Sequence, residues 1–194
     1  MRIHTRTAVL LVIDVQNDFC ELGHAFHRSG RDLAPIRSMV HEGLLPFLQL
    51  ARNAGLRIVF VAAHYPRGKF HADGFTELCI EGTPGAEFYA LRPSLDSGRE
   101  RVLFKSEYDA FSNRALHQFL QEWRAEQVLV TGLTTPSCIR ATVMGAATIG
   151  YEVILLSDLV AAAAHRRRDH EEVLEIFRAQ DKVQVVTSEE IDIT

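Results

Sequence analysis

The stretch Val128-Leu-Val-Thr-Gly132-Leu-Thr-Thr-Pro-Ser-Cys138-Ile-Arg-Ala-Thr142 passes from an apolar, β-branched segment through a tight turn into a helical pattern. It predicts a buried strand over residues 127–131 and a helix over residues 137–149, with Gly150 ending the helix. Cys138 lies where this helix begins. Backbone N–H groups at a helix start are unpaired and carry roughly +0.5 charge, so the position favours the thiolate form. Cys138 is therefore a candidate nucleophile.

The same alternation of strand and helix patterns runs along the rest of the chain. Predicted strands cover residues 8–13, 57–62, 101–104, 127–131, 152–156 and 183–186, and predicted helices lie between Asp32 and Gly55 and over residues 113–122, 137–149 and 169–179. This order predicts a three-layer α/β/α fold with a mainly parallel, doubly wound sheet of six strands. Ligands of such sheets bind at the carboxyl ends of the strands.

Composition predicts a single globular domain over residues 1–194, because 47% of the residues are hydrophobic and 24% are charged. The net charge of -4 gives no basic field for nucleic acid, and the short run Arg166-Arg167-Arg168 is interpreted as a solvated helix entrance. The apolar residues 8–13 are too few to span a bilayer. We therefore expect neither a nucleic-acid partner nor a membrane partner.

The three cysteines, Cys20, Cys79 and Cys138, are far apart and odd in number, which favours a reducing compartment over a disulfide framework. A cytoplasmic location is the resulting expectation. Cys20 and Cys79 have no predicted helix start and cation beside them, so we interpret both as buried structural residues.

Two charged residues are expected beside Cys138. Asp14 directly follows the first predicted strand, and Lys105 follows the third. Because parallel strands end at the same edge of a sheet, all three side chains should converge there. A thiol nucleophile needs a base and a favourable cation, and Asp14 and Lys105 supply that pair. Taken singly, Asp14 also fits a turn cap, Lys105 a surface ion pair and Cys138 a small buried hydrophobe.

Three segments carry a family resemblance. Ile13-Asp14-Val15-Gln16-Asn17-Asp18-Phe19, Lys105-Ser-Glu-Tyr-Asp-Ala110-Phe111, and Gly132-Leu-Thr-Thr-Pro-Ser-Cys138 with Ala141-Thr142 resemble the signatures of the isochorismatase-like cysteine hydrolases. The resemblance extends from about residue 8 to residue 179. It implies a homodimer or homotetramer, the α/β/α fold of that family, and hydrolysis of a small-molecule substrate.

The resemblance also implies site residues. Asp14, Lys105 and Cys138 would form a catalytic triad in which Cys138 attacks a carbonyl and forms a thioester. The backbone N–H groups of Thr134 and Cys138 would form an oxyanion hole, and the peptide bond between Leu133 and Thr134 would be cis. Loss of one oxyanion donor typically raises a barrier by about 2.7–4 kcal/mol.

One family feature differs in this chain. In the nicotinamidases of the family that this chain resembles, the metal site is an Asp-x-His pattern followed by a second His. This chain has Ala62-Ala63-His64 at the corresponding positions, followed by His71. Zinc usually takes three protein ligands at a catalytic site. We therefore predict no metal and no other cofactor, with His64 and His71 facing solvent or lining a pocket; a metal bound by these two histidines is the weaker alternative.

The substrate prediction rests on two further segments. Residues 134–142 look most similar to the carbamoylsarcosine amidase branch, and residues 81–87 resemble a stretch of ureido-type amidohydrolases, which implies a small amide, carbamoyl or ureido substrate. Arg140 fits either a substrate carboxylate or a subunit contact. The complete set of candidate substrate-binding residues is Phe19, His64, Tyr108, Phe111, Thr135 and Arg140, and core packing explains the aromatic ones equally well.

Several alternatives stay open or are excluded. A dinucleotide or P-loop site is excluded because no glycine-rich turn follows the first strand, and a thioredoxin-like role because no Cys-x-x-Cys pair is present. A non-catalytic binding or scaffolding subunit remains an alternative, as does a nicotinamidase-like hydrolase. An isochorismatase-like hydrolase is a weaker one, because members that cleave isochorismate typically lack the cysteine. The irregular residues 64–95 are predicted to be a lid or a partner surface.

Overall fold

The computed structural model describes residues 1–69, 74–75 and 77–194. Its main sheet is parallel, has six strands and has the order β4-β3-β2-β5-β6-β7. The strands are β2 (Ala8–Ile13), β3 (Arg57–Ala63), β4 (Glu100–Lys105), β5 (Gln127–Leu133), β6 (Glu152–Ala161) and β7 (Val183–Val186). A separate parallel pair joins β1 (Arg2–Ile3) to β8 (Asp192–Ile193). The predicted α/β fold with a doubly wound sheet is confirmed.

The helices surround this sheet. They are α1 (Asn17–Cys20), α2 (Ala25–Arg28), α3 (Ala34–Ser38), α4 (Leu45–Ala54), α5 (Arg114–Glu122), α6 (Arg140–Ile149) and α7 (Arg167–Arg178). A π-helical segment, Met39–Leu44, joins α3 to α4, and another, Thr135–Ile139, precedes α6. None of the helices in the described parts of the chain has the length and apolar character that a membrane crossing requires.

Helix ends follow the predicted signals closely but not everywhere. Gly55 ends α4 with φ of 79°, in the left-handed region that glycine adopts without a Cβ penalty. The predicted start of the last helix at Asp169 is wrong, because α7 begins at Arg167. Asp169 instead lies in the first turn, where its carboxylate accepts a hydrogen bond from Arg166. An acidic side chain is favourable in that turn as well as at the cap.

Alternation along β2 separates two hydrophobic cores. Leu10 and Val12 pack into one core with helices α3 and α4, whereas Val9, Leu11 and Ile13 pack into the other with α5, α6 and α7. All five side chains are fully buried, as the continuous apolar run of a parallel strand requires. The sheet is therefore covered on both faces, and the carboxyl edge of its strands is where polar side chains gather.

The winding of the sheet reverses between β2 and β5, which are neighbours although 120 residues separate Leu11 from the Thr131 hydroxyl that donates to its carbonyl. Gly132 makes this approach close. It has φ of 109°, and a Cβ on it would lie 2.1 Å from the carbonyl oxygen of Ile13. A crevice at such a reversal point is the usual ligand site of open α/β sheets.

The irregular segment after β3 packs over this edge of the sheet in its described part. Tyr65 forms a β-bridge with Ile80, and Gln16 forms one with Phe88. Leu78, Cys79 and Ile80 are buried. The candidate ligand His71 lies outside the described residues, and the role of the segment as a lid or partner surface stays a prediction.

Candidate active site

The three candidate triad residues follow three different strands. Asp14 comes directly after β2 in a left-handed conformation, with φ of 52°, and its N–H donates to the Val61 carbonyl at 2.8 Å. Lys105 is the last residue of β4, and Cys138 lies in the π-helical turn after β5. Asp14 and Cys138 therefore flank the reversal point of the sheet, and Lys105 reaches it from the edge strand.

The side chains of these residues meet, as the sequence predicts. Lys105 Nζ lies 2.8 Å from Asp14 Oδ2, 3.3 Å from Cys138 Sγ and 3.0 Å from the Glu107 carbonyl oxygen. The contact with Asp14 is an ion pair, and the ammonium group donates hydrogen bonds to the sulfur and to the Glu107 carbonyl. Both members of the ion pair have fully buried side chains. Although burial disfavours its charge, Asp14 and Cys138 raise the pKa of Lys105 above its ordinary value, so it remains an ammonium.

The oxygens of the Asp14 carboxylate have lone pairs that can accept further hydrogen bonds. Neither oxygen accepts a well-aligned hydrogen bond from a described residue, in spite of the nearby ammonium. Burial raises the pKa of Asp14 above its usual value, while Lys105 and Cys138 oppose the rise. A buried carboxylate with open lone pairs and a raised pKa is suited to take up and return a proton at neutral pH.

The prediction that the helix start favours the Cys138 thiolate is wrong for the resting site. Burial, together with the negative charge of Asp14, raises the pKa of Cys138, and the ammonium of Lys105 only partly offsets this. The thiol is 4% exposed. The resting sulfur is therefore protonated, and the base must remove its proton when a ligand is attacked.

Tyr65, which the sequence analysis did not select, also contacts the nucleophile. Its hydroxyl forms a hydrogen bond with Cys138 Sγ over 3.7 Å. Tyr65 follows His64 just beyond β3 and is only 2% exposed. The signal available in the sequence was its place two residues after the end of β3, at the same edge as the triad.

Gln16 holds the elements around the site in place. Its buried side-chain amide donates to the carbonyls of Ala63 and Ala86 at 2.9 and 2.7 Å and accepts the Ala63 N–H at 2.8 Å. These bonds join the segment after β2 to the end of β3 and to the 3-10 turn Pro84–Ala86. Every bond is buried, so the amide fixes the spacing of the strand ends that carry Asp14 and Tyr65.

The turn that carries Cys138 has the cis peptide bond predicted between Leu133 and Thr134. The Thr134 carbonyl accepts N–H groups from Ser137 at 3.0 Å and Ile139 at 3.2 Å, which closes the turn. Thr135 is fully buried, and its hydroxyl bonds to His170 Nδ1 at 2.8 Å. The oxyanion hole of Thr134 and Cys138 stays a prediction.

The remaining candidate substrate-binding residues are dispersed. Phe19 is buried against Phe26 with ring centroids 4.9 Å apart. Tyr108 is partly buried between the two cores. Arg140 is exposed at the start of α6, where a subunit contact remains its alternative role. These positions give Phe19 and Tyr108 a packing role.

Phe111 packs against another aromatic ring, and its role as a pocket wall stays a prediction. Its ring stacks on Tyr151 with centroids 6.0 Å apart, and Tyr151 directly precedes β6 at the amino edge of the sheet. This stacking gives the ring a packing role beside the core that contains α5 and α6.

The described residues at the nicotinamidase metal positions, Ala62 and His64, do not form a metal site. Ala62 has only a methyl group, and the His64 ring stacks on Phe104 with centroids 4.1 Å apart. Within residues 1–69, 74–75 and 77–194, no three His, Cys, Asp or Glu side chains form a group that could hold a metal. His64 instead lines an open cleft of about 450 Å³ with Phe88 and Arg92.

A doubly wound parallel sheet with a buried Asp, Lys and Cys side chain at its carboxyl edge defines an α/β protein with a candidate cysteine-nucleophile site, and comparison with known proteins identifies the family. The model of the Isochorismatase domain matches residues 8–190. The chain belongs to the isochorismatase family of hydrolases. The predicted family is thereby confirmed.

Individual relatives agree with this assignment. The nicotinamidase/pyrazinamidase of Mycobacterium tuberculosis is 30% identical over 165 residues, covering 80% of this chain and 87% of that protein. A probable inactive nicotinamidase of Arabidopsis thaliana is 30% identical over 169 residues, covering 81% and 82%. The crystal structure of N-carbamoylsarcosine amidase from Thermoplasma acidophilum superposes with a TM-score of 0.72 at 23% identity, covering 96% and 99%, which shows a shared fold.

Proposed function

We propose that the chain is a cysteine-dependent amidohydrolase that cleaves a small amide, carbamoyl or ureido compound through a thioester on Cys138. The observation that carries this proposal is the contact of one buried ammonium with both the carboxylate of Asp14 and the sulfur of Cys138, at 2.8 and 3.3 Å. C–N bond hydrolysis is the chemistry of the family's amidohydrolases. The substrate itself is the finer part of the proposal.

In the acylation step, Asp14 accepts the proton of the Cys138 thiol, and the sulfur attacks the acyl carbon. Asp14 then returns this proton to the departing nitrogen as the C–N bond breaks, which leaves a thioester and releases ammonia or an amine. Lys105 remains charged throughout and balances the negative charge as it moves from carboxylate to sulfur. The N–H groups of Thr134 and Cys138 are proposed to hold the acyl oxygen.

In the deacylation step, Asp14 accepts a proton from water, and the resulting hydroxide attacks the thioester carbon. The carbon–sulfur bond breaks, and the sulfur regains a proton from Asp14. Since one carboxyl group is base in each attack and acid in each departure, its raised pKa favours both roles.

A nicotinamidase-like substrate is the second candidate, because two of the relatives at 30% identity are a nicotinamidase and a probable inactive nicotinamidase. Ala62 argues against a metal-assisted version of that activity in this chain. A non-catalytic role is the third reading, in line with the inactive relative. Cytoplasmic location and a homodimer or homotetramer remain predictions from sequence.

Selective labelling tests the nucleophile. Iodoacetamide at pH 7.5, followed by peptide mass spectrometry, should modify Cys138 at least about tenfold faster than Cys20 and Cys79. The Cys138 sulfur contacts the Lys105 ammonium at 3.3 Å and has Asp14 beside it as a base, whereas burial raises the pKa of the other two thiols well above its ordinary value. Asp14→Asn should abolish the preference, whereas Asp109→Asn, which changes a half-buried carboxylate outside the ion pair, should keep it. Equal, slow labelling of all three cysteines would refute the proposal.

Ammonia release tests the substrate class. Primary amides, nicotinamide, carbamoyl amino acids and ureido acids are screened with the wild-type protein and with Cys138→Ala. Turnover that the substitution removes would support the amidohydrolase, and the best substrate would separate the carbamoyl from the nicotinamidase reading. Fast Cys138 labelling without turnover of any class would instead favour the non-catalytic reading.

A further inference from the structure

Tyr65 is fixed in place from both sides of its backbone. Its N–H donates to the Cys79 carbonyl at 3.1 Å, and it pairs with Ile80 in a β-bridge. The preceding residue, His64, donates its N–H to the Lys105 carbonyl at 2.8 Å. With 2% of its surface exposed, the phenol ring is held rigidly beside the triad.

The hydroxyl of Tyr65 meets the reacting atom itself. Oη lies 3.7 Å from Cys138 Sγ, a hydrogen-bonding distance for sulfur. Lys69 Nζ lies 5.1 Å and Lys105 Nζ 5.8 Å from the centroid of the ring, and the Asp14 carboxylate is also nearby. Burial, together with the nearby Cys138 and Asp14, raises the pKa of Tyr65 far above its ordinary value. The phenol therefore keeps its proton and can only donate to an anionic sulfur.

We propose that Tyr65 is a fourth catalytic residue, whose hydroxyl donates a hydrogen bond to the Cys138 sulfur and stabilises the thiolate while Asp14 holds the thiol proton. The proposal rests on the proposed function. In this step the S–H bond breaks, the proton forms a bond to the Asp14 carboxylate, and Tyr65 keeps its own proton. When the sulfur becomes a thioester it is a weaker acceptor, so the hydrogen bond is strongest at the moment of attack.

The size of the effect follows from the groups that face the sulfur, which are Asp14, Lys105 and Tyr65. A hydrogen bond to a charged acceptor is stronger than one to a neutral acceptor. The bond from Tyr65 should therefore lower the pKa of the Cys138 thiol by roughly one unit, which raises the thiolate fraction about tenfold. The nucleophilicity of the thiolate itself rises about threefold for each unit by which the thiol pKa rises, because the Brønsted slope is about 0.4–0.5. Loss of the hydrogen bond therefore lowers the reaction rate of the sulfur at low pH and raises it at high pH.

The test is Tyr65→Phe, measured as the rate of Cys138 alkylation by iodoacetamide from pH 5 to 11. In the plot of alkylation rate against pH, we expect the rising limb to move to higher pH by about one unit. The rate near neutral pH should be about threefold lower, and the limiting alkaline rate about threefold higher. Tyr151→Phe is the matched control. It also removes one buried hydroxyl, which bonds to His117 at 3.0 Å away from the sulfur, and it should leave the profile unchanged.

A merely structural role for Tyr65 gives a different result: an unchanged limb, or a rate lowered equally at every pH. Either outcome would overturn the inference. Thermal unfolding of both variants identifies a loss of folding, in which case Tyr65→3-fluorotyrosine, whose more acidic hydroxyl should move the limb downward, replaces the first variant. Because alkylation needs no substrate, slow Cys138 labelling in the wild-type protein would refute the proposed function, whereas fast labelling unaffected by Tyr65→Phe would refute the inference alone.

Discussion

Replacing Lys105 by methionine should make folding stability strongly dependent on pH. The substitution keeps the length of the side chain but removes the ammonium that lies 2.8 Å from Asp14. The carboxylate, which is fully buried and accepts no well-aligned hydrogen bond from a described residue, would then be an uncompensated charge. Breaking a buried ion pair in this way typically costs about 3–5 kcal/mol.

The pH dependence follows from the direction of the pKa shift. Burial already raises the pKa of Asp14, and loss of Lys105 removes the main opposing influence, so the folded variant binds this proton more tightly than the unfolded chain. Stability is then fully present below the unfolded pKa and is lost as pH rises through the folded one. The loss is about 1.4 kcal/mol for each pH unit between the two pKa values, so a cost of about 3–5 kcal/mol for the unpaired charge corresponds to a separation of about 2–4 pH units.

Urea unfolding followed by circular dichroism at pH 5 and pH 8 measures the effect. The double variant Asp14→Asn, Lys105→Met is the matched reference, because it lacks the titrating carboxyl but keeps every other ionisable group. We expect the single variant to be about 3–5 kcal/mol less stable than wild type at pH 8 and the double variant to recover most of this. Parallel pH profiles for the two variants would refute the electrostatic account.

Two further substitutions test the scaffold, both by urea unfolding. Gly132→Ala should lower the free energy of unfolding by about 3 kcal/mol, because the new Cβ would clash with backbone at 2.1 Å and the φ of 109° is strained for alanine. Gly150→Ala has a similar φ of 112° but open space around it, so it should lower the free energy of unfolding by only about 1–2 kcal/mol. Equal losses would contradict the close approach of β2 and β5. Gln16→Leu should cost about 3 kcal/mol or more because it leaves three buried backbone groups without partners, while the exposed Gln49→Leu should change stability by less than about 0.5 kcal/mol. A small loss for Gln16→Leu would mean that the backbone groups find other partners.

The sheet was predictable because each buried strand leaves a continuous apolar run. Such runs occur in β2, β3 and β5, and their alternation with amphipathic helices permits few topologies. The short elements were not predictable. The two-residue strands β1 and β8 and the one-turn helix α1 depend on contacts between distant segments rather than on a local period.

The site divides in the same way. Convergence of Asp14, Lys105 and Cys138 follows from strand ends alone, so the sequence was sufficient. The ionisation state of Cys138 could not be predicted in this way, because the helix start is a local feature whereas burial and the Asp14 charge arise from the tertiary fold. Tyr65 was missed for the same reason: nothing local links it to a sulfur 73 residues further along the chain.

The origin of the ion pair in the edge strand has a consequence for biosynthesis. Asp14 and Cys138 follow adjacent strands, but Lys105 is carried by the outermost strand, and all three must be in register before the sulfur has its neighbours. A nascent chain, or a fragment that lacks any one of these strands, therefore contains an ordinary thiol. Chemical competence of the sulfur thus serves as a marker that the growing polypeptide has completed its long-range assembly.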